Sequence, residues 1–396
     1  MRRKIYQELL QWKQRSGESA LLVQGARRVG KSYIVEAFAK AEYKSYILID
    51  FNLVDQPVKE MFEHDLVDLK TFFMKLTTYY GVKLYERESL IIFDEVQLFP
   101  RARSAIKYLV ADGRYDYIET GSLISIRENV KDILIPSEED HVDMYPLDFE
   151  EFLWANGNDT MMDFIRDCYR KKAPLGQALH RKAMDLFRQY LIVGGMPQAV
   201  NAFVKHNDFD EVDRVKRRIL NLYRDDIRKH AKGYEMKVEA IYDEIPSQMK
   251  NQNQHFKLSS LKQGARFDEY KDAMFWLSDA MIVNHCYNAT EPTFGLNLNR
   301  DRTLLKCYMG DTGLLISHAF DENGIVTGEV YKKLLLDKLE VGAPTFAERI
   351  EMAARLAPRV KRVIARAQPY LPQCKASLME ALPAMKRAGI YGITLE

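Results

Sequence analysis

The stretch Gly25-Ala26-Arg27-Arg28-Val29-Gly30-Lys31-Ser32 has the residue types and spacing of a phosphate-binding loop. Glycines at its first and sixth positions let the backbone curl until successive N–H groups converge on one anion. The helix expected to begin at Lys31 adds its partial positive charge. Lys31 is a compact cation able to reach β- and γ-phosphates, and the Ser32 hydroxyl is a ligand for Mg²⁺. With Tyr33 included, residues 25–33 are the expected lining of a nucleotide.

A second acid-bearing motif lies about sixty residues downstream, where the apolar run Leu90-Ile91-Ile92-Phe93 ends in Asp94-Glu95. Adjacent carboxylates at the tip of a buried strand call for a cation. Asp94 fits the carboxylate that holds Mg²⁺, and Glu95 fits the one that polarises the attacking water. The chain has no Asn-Lys dipeptide, so the guanine-reading NKxD element of a GTPase is missing. The acids therefore point to ATP hydrolysis. Thr120 or Ser122, in Thr120-Gly121-Ser122 after the next apolar run, is expected to sense the γ-phosphate or its water. Gln97 either reads phosphate or caps a helix. Arg27, Arg28, Arg101, Arg103, Arg114 and Arg127 are all candidates for the arginine that neutralises the transition state, and spacing does not choose among them.

These residues need a scaffold, and the first ~155 residues supply its pattern. Short runs at Ala20–Val23, Tyr46–Asp50, Leu90–Phe93 and Tyr117–Glu119, with a weaker one at Val142–Tyr145, predict strands. The segments between them carry helical spacing, as at Met61, Leu66, Leu69, Phe72, Phe73 and Leu76. Ile5, Leu9 and Trp12 predict a leading amphipathic helix. Alternation of this kind predicts βαβ units and a parallel sheet. From Phe149 to Lys232 the pattern is helical, broken by Gly194-Gly195-Met196-Pro197. Helices over Lys237–Gln248 and Tyr270–Val283 flank a strand-like entry and short helix at His255–Lys262. β-prone runs at Ile282–Tyr287, Phe294–Leu298 and Thr303–Met309 follow, an order that predicts a winged helix-turn-helix.

Composition excludes several classes. The chain has 396 residues, 47% hydrophobic and 29% charged, and no apolar run long enough to span a membrane. Cys168, Cys286, Cys307 and Cys374 lie far apart, without metal-finger spacing, and no HExxH occurs. A reducing, cytoplasmic setting is expected. The net charge of +2 conceals an uneven distribution, because residues 343–396 carry +5 and contain eleven Ala, five Pro and no Asp. That tail is expected to be helical in short pieces and basic. Lacking both Asp and a Glu-x-Lys, it offers no PD-(D/E)xK nuclease centre.

Taken in order, GARRVGKS, IIFDEVQ, ETGS, MYPLDFEEFL and YLIVGGMPQAV resemble the prokaryotic AAA-superfamily ATPases that carry a C-terminal domain of unknown function. The resemblance covers about residues 1–341 and continues through Tyr223–Ile227, Phe256–Arg266 and Tyr308–Leu314. It implies an α/β P-loop NTPase core of the AAA/ASCE type over residues 1–155. A helical lid over 156–235 and a winged helix over 236–341 would follow, with 342–396 as a tail of unknown origin. Two departures stand out: Ile135–His141 replaces the family's usual Gly-Arg pair, and the expected continuation after Val341 is absent. ATP and Mg²⁺ are the expected cofactors, a homo-oligomer and an unidentified protein are candidate partners, and no membrane is expected. Lys257, Lys262, Arg266 and Lys271 are candidate DNA contacts on the winged helix, with Asp268, Glu269 and Asp272 among them. Two readings result: an ATPase that drives or gates movement of lid and winged helix, or a nucleotide-gated DNA-binding regulator with negligible turnover.

Overall fold

The computed structural model describes residues 1–15, 17–122, 137–250, 255–289 and 299–320. The 342–396 tail, Arg127 and the run Phe294–Leu298 lie outside the described residues. The described residues divide into two compact units, one made of residues 2–145 with 279–281 and the other built mainly from 146–278 and 282–320.

The first unit opens with α1 (Ile5–Gln14), whose Ile5, Leu9 and Trp12 are buried at the expected helical spacing. Its sheet consists of β1 (Ala20–Gln24), β2 (Ser45–Asp50), β3 (Ser89–Asp94), β4 (Asp116–Gly121) and β5 (Glu139–Asp143). The strand order is β2-β3-β4-β1-β5, and every pairing is parallel. β3 and β4 are buried along their whole lengths, as parallel strands covered on both faces must be. The helices of this unit are α2 (Lys31–Glu42), α3 (Gln56–Glu60), α4 (Leu69–Tyr80) and α5 (Pro100–Asp112). A π-turn at Met61–Asp65 continues α3. Around Phe62, the rings of Phe51, Phe72, Phe93 and Phe99 pack edge-on at centroid distances of 5.1–6.0 Å. Offset edge-to-face pairs like these add to the burial of apolar area.

β5 differs from its expectation. The strand is the polar run Glu-Asp-His-Val-Asp rather than Val142–Tyr145. Backbone pairing decides its limits, since Ala20 to Gln24 of β1 stand opposite Glu139 to Asp143 in unbroken register. A strand on the rim of a sheet can form with little apolar content when its partner strand supplies the ladder.

The second unit is mostly helical: α6 (Phe149–Ala155), α7 (Asp159–Lys171), α8 (Gln177–Val193), α9 (Pro197–His206) and α10 (Phe209–His230). A capping box between Asp148 and Glu151 starts α6. After α11 (Glu235–Lys250) come Phe256, whose N–H donates to the Leu305 carbonyl at 2.7 Å, an extended Lys257, and a 3₁₀ turn at Leu258–Ser260. Helix α12 (Phe267–Asp279), the antiparallel pair β6 (Val283–Ala289) and β7 (Arg300–Met309), and α13 (Thr312–Ala319) complete the described chain.

Two of the sequence motifs meet inside this unit. Gly195 N–H donates to Asp311 Oδ2 at 2.6 Å, and Leu314 N–H donates to Oδ1 at 2.8 Å. A Cβ on Gly195 would stand 2.0 Å from the Leu147 carbonyl oxygen, so only glycine permits the approach. Lys216, fully buried, donates to the Ile192 carbonyl at 2.8 Å. The GGMP and GDTGL sequences are therefore the two halves of one packed junction.

Candidate nucleotide-binding site

All five parallel strands direct their C-terminal ends to one edge of the sheet, where ligands of open α/β folds bind. β4 lies between β1 and β3, so it stands between the strand that leads into the phosphate loop and the strand that ends in Asp94. In register, Gln24 of β1 faces Gly121, Phe93 faces Glu119, and Asp50 faces Asp94. Residues far apart in sequence thus reach one rim.

The loop leaves β1 at Gly25. Here the tight constraint is the neighbouring chain: a Cβ on Gly25 would lie 2.3 Å from the Met144 carbonyl oxygen. Arg28 and Gly30 take positive φ values of 69° and 96°, which turns the backbone into α2. Ala26 and Val29 are buried, Arg27 is half-buried, and Arg28 and Tyr33 are exposed. Lys31 is buried, with Nζ donating to the Gly25 and Ala26 carbonyls at 2.9 and 3.0 Å. Burial pushes its ammonium down to about 8, partly offset by the charges of Glu95 and Asp94.

The acids are held by different donors. Ser32 Oγ donates to Asp94 Oδ1 at 2.8 Å, and Thr120 Oγ1 donates to the same oxygen. Burial raises the Asp94 pKa above the usual carboxylate range, and the charges of Glu95 and Asp50 add to that. Glu95 takes a left-handed backbone with φ 53° and ψ 45°, which is uncommon for a residue with a side chain. Its Oε2 accepts from Gln97 Nε2 at 2.6 Å and from Ser122 Oγ at 3.1 Å. Thr120 and Ser122, which sequence left as alternatives for one role, thus touch different carboxylates. Gln97 binds Glu95 and does not cap the helix.

Among the arginine candidates, Arg103 is buried on the sheet, with Nη2 3.0 Å from Glu139 Oε1 and Nε 3.9 Å from Glu119 Oε2. Glu119, wholly buried beside Glu139, has its pKa raised well above the ordinary value by burial. Arg114 pairs with Asp112 at 2.7 Å, and Arg101 donates to the Phe62 carbonyl at 3.3 Å. A residue the sequence did not single out braces the loop. Arg3 is buried, and its guanidinium donates to the Val29 carbonyl at 3.0 Å and the Tyr145 carbonyl at 2.5 Å. Only its position in the basic start Met1-Arg2-Arg3-Lys4 could have drawn attention to it.

The oxygens of Ser32 and Asp94 are hard donors of the type that Mg²⁺ prefers, so this pair fits a divalent cation. The loop, with its helix N-terminus and buried lysine, is a ready cradle for phosphate.

Residues 17–153 match the family described as AAA domain, and residues 184–323 match a domain of unknown function (DUF8612). No curated protein matches the chain. Among solved structures, the Walker-type ATPase PABY2304 of Pyrococcus abyssi is similar at 13% identity and a TM-score of 0.45. The match covers 80% of this chain and 95% of that one. The Aeropyrum pernix Orc1 protein, solved in complex with DNA, is similar at 10% identity and a TM-score of 0.30, covering 82% and 94% of the two chains. Two family models thus match separate parts of the chain, an AAA domain over the residues that carry the phosphate loop and Asp94-Glu95, and a domain of unknown function over much of the remainder.

Proposed function

We propose that the chain is a Mg²⁺-dependent ATPase whose turnover drives or gates a change in the helical lid and winged helix. The observation that carries this reading is the convergence of Lys31, Ser32, Asp94, Thr120 and Glu95 at one edge of the sheet. Backbone N–H groups of residues 25–33 would bind the phosphates, with Lys31 compensating charge on the β- and γ-oxygens. Mg²⁺, held by Ser32 and Asp94, would supply positive charge to the transferring phosphoryl group. Glu95 accepts the proton of the water that attacks the γ-phosphorus, while the bond to the β–γ bridging oxygen breaks and ADP departs. Thr120 orients Asp94, and Ser122 with Gln97 orients Glu95.

The order of α11, Phe256 bonded to Leu305, a short 3₁₀ turn, α12 and the β6–β7 pair supports a winged-helix reading for residues 236–341, of which 321–341 lie outside the described residues. Contact of α12 with DNA is less well supported. Lys257, Lys262, Arg266 and Lys271 are exposed, but the exposed face of α12 itself presents Asp268, Glu269, Asp272 and Asp279 against one lysine. The acids would repel phosphate.

Lys31→Ala is expected to abolish ATP binding, read by fluorescent-nucleotide titration. Glu95→Gln is expected to keep binding while lowering turnover at least ~100-fold. Equal phosphate release from wild type and Glu95→Gln would defeat the mechanism.

A further inference from the structure

The charge missing from α12 is concentrated elsewhere in the same unit. Residues 169–182, which join the end of α7 to the start of α8, contain Arg170, Lys171, Lys172, Arg181 and Lys182 and no acid. All but Leu175 are exposed, so the segment forms a protruding tip. Tyr169 at its base is 84% exposed, well beyond what a tyrosine needs to keep its hydroxyl wet.

Helix stability accounts for only part of this composition. Arg170 and Lys171 lie in the last turn of α7, where the macrodipole favours cations, and Lys171 pairs with Asp167 at 2.8 Å. Lys172 has no such reason. It occupies the left-handed cap position with φ 51° and ψ 36°, where glycine or asparagine is the unstrained choice. Arg181 and Lys182 directly follow the first turn of α8, the end of a helix that disfavours cations. Buried Met161 and Ala183, with Ile165, Leu175 and Leu186 packed against them, anchor the base of the tip and leave its charges outward.

We propose that the α7–α8 tip is a docking surface for single-stranded nucleic acid. Phosphates pair with Arg170, Lys172, Arg181 and Lys182, and a base stacks on the ring of Tyr169. An array of cations next to an exposed aromatic ring matches the alternating anionic and planar groups of an unpaired strand. Duplex DNA hides its base faces and would use only the cations.

The test is a salt titration of the full chain with a labelled single-stranded oligonucleotide of roughly 30 nucleotides, its duplex counterpart and anionic phosphatidylserine vesicles. Charge reversal at Arg170, Lys172, Arg181 and Lys182 is expected to weaken single-strand binding at least ~10-fold. The slope of log affinity against log salt should fall by about 3, four phosphate contacts at ~0.7 each. Tyr169→Ala is expected to weaken the single strand ~5-fold or more and leave the duplex unchanged. Lys172→Gly separates binding from folding, because it should raise the melting temperature while lowering affinity. The proposal is overturned if wild type fails to bind the single strand, or if the charge-reversed chain keeps both affinity and salt slope. Selective loss of vesicle binding, or equal effects of Tyr169→Ala on single strand and duplex, would overturn it as well. Basal ATP turnover should be the same in all of these variants, so failure here is distinct from failure of the ATPase reading.

Discussion

Asp94 and Glu95 are sequence neighbours with separate supports, and those supports divide the labour of the site. Ser32 and Thr120 converge on one oxygen of Asp94, while Ser122 and Gln97 converge on one oxygen of Glu95. In the proposed mechanism the second pair orients the carboxylate and leaves Oε1 to accept a proton. Ser122→Ala and Gln97→Ala are therefore expected to lower kcat about 10- to 100-fold with KM for ATP little changed. A change confined to KM would show that they act on binding instead. The Asp-Glu pair and phosphate loop were legible because their chemistry is local in sequence. Arg3 was not, because its targets, Val29 and Tyr145, are 26 and 142 residues away. Arg3→Ala is expected to weaken nucleotide affinity several-fold, since the Val29 carbonyl loses a charge-assisted hydrogen bond of about 1.5–3 kcal/mol. Unchanged affinity in a direct titration would remove it from the site. Arg103, one of six arginine candidates that spacing did not separate, is held by two buried glutamates.

At the scale of elements, apolar runs located β1 to β4 within a residue or two, because buried parallel strands must be apolar on both faces. The same rule misplaced β5, whose pairing with β1 tolerates charge. It also extended α12 into β6, since Ile282 and Val283 continue the apolar pattern across the turn at Met281, where φ is 57°. In the β6–β7 pair, His285 is buried and Arg300 lies 3.3 Å above the neighbouring Tyr287 ring. Burial first, and the Arg300 charge second, push the imidazole down to about 4. The unfolded chain binds that proton near pH 6.5, so the folded state loses stability as pH falls from 6.5 towards 4. The loss amounts to on the order of 3 kcal/mol for this group. Urea unfolding followed by fluorescence should show a smaller acid-induced decrease for His285→Gln than for wild type. Parallel pH curves would mean that another group controls the acid limb.

For the whole molecule, net charge proved a poor guide, since +2 averages an acidic α12 face, a basic α7–α8 tip and a +5 C-terminal segment. Local exposure separates contributions that composition merges. Charge reversal at Lys257, Lys262 and Arg266 is accordingly expected to change DNA affinity less than two-fold in a gel-shift or anisotropy titration. A loss of ~10-fold or more would restore the segment from Lys257 to Arg266 as the DNA-binding element. Long sequence separation explains why family resemblance reached further than physical reading. Motifs such as GGMP and GDTGL are conspicuous as strings, but their pairing through Asp311 depends on contacts more than a hundred residues apart.

The bridge made by Arg3 has a consequence for the order of folding. It joins the third residue to the carbonyl of Tyr145, at the end of the continuous 2–145 segment of the first unit, with the phosphate loop between them. Gly25 is likewise set against Met144. A nascent chain that has emerged only as far as β4 contains the complete loop and Asp94, yet lacks the strand and carbonyls that clamp the loop from its far side. Loop closure over such separations comes late, because its entropy must be met before the contacts reward it. On the proposed function, competence to hold nucleotide would mature only when the two ends of the 2–145 segment have met, and bound nucleotide would stabilise the finished domain over its shorter precursors.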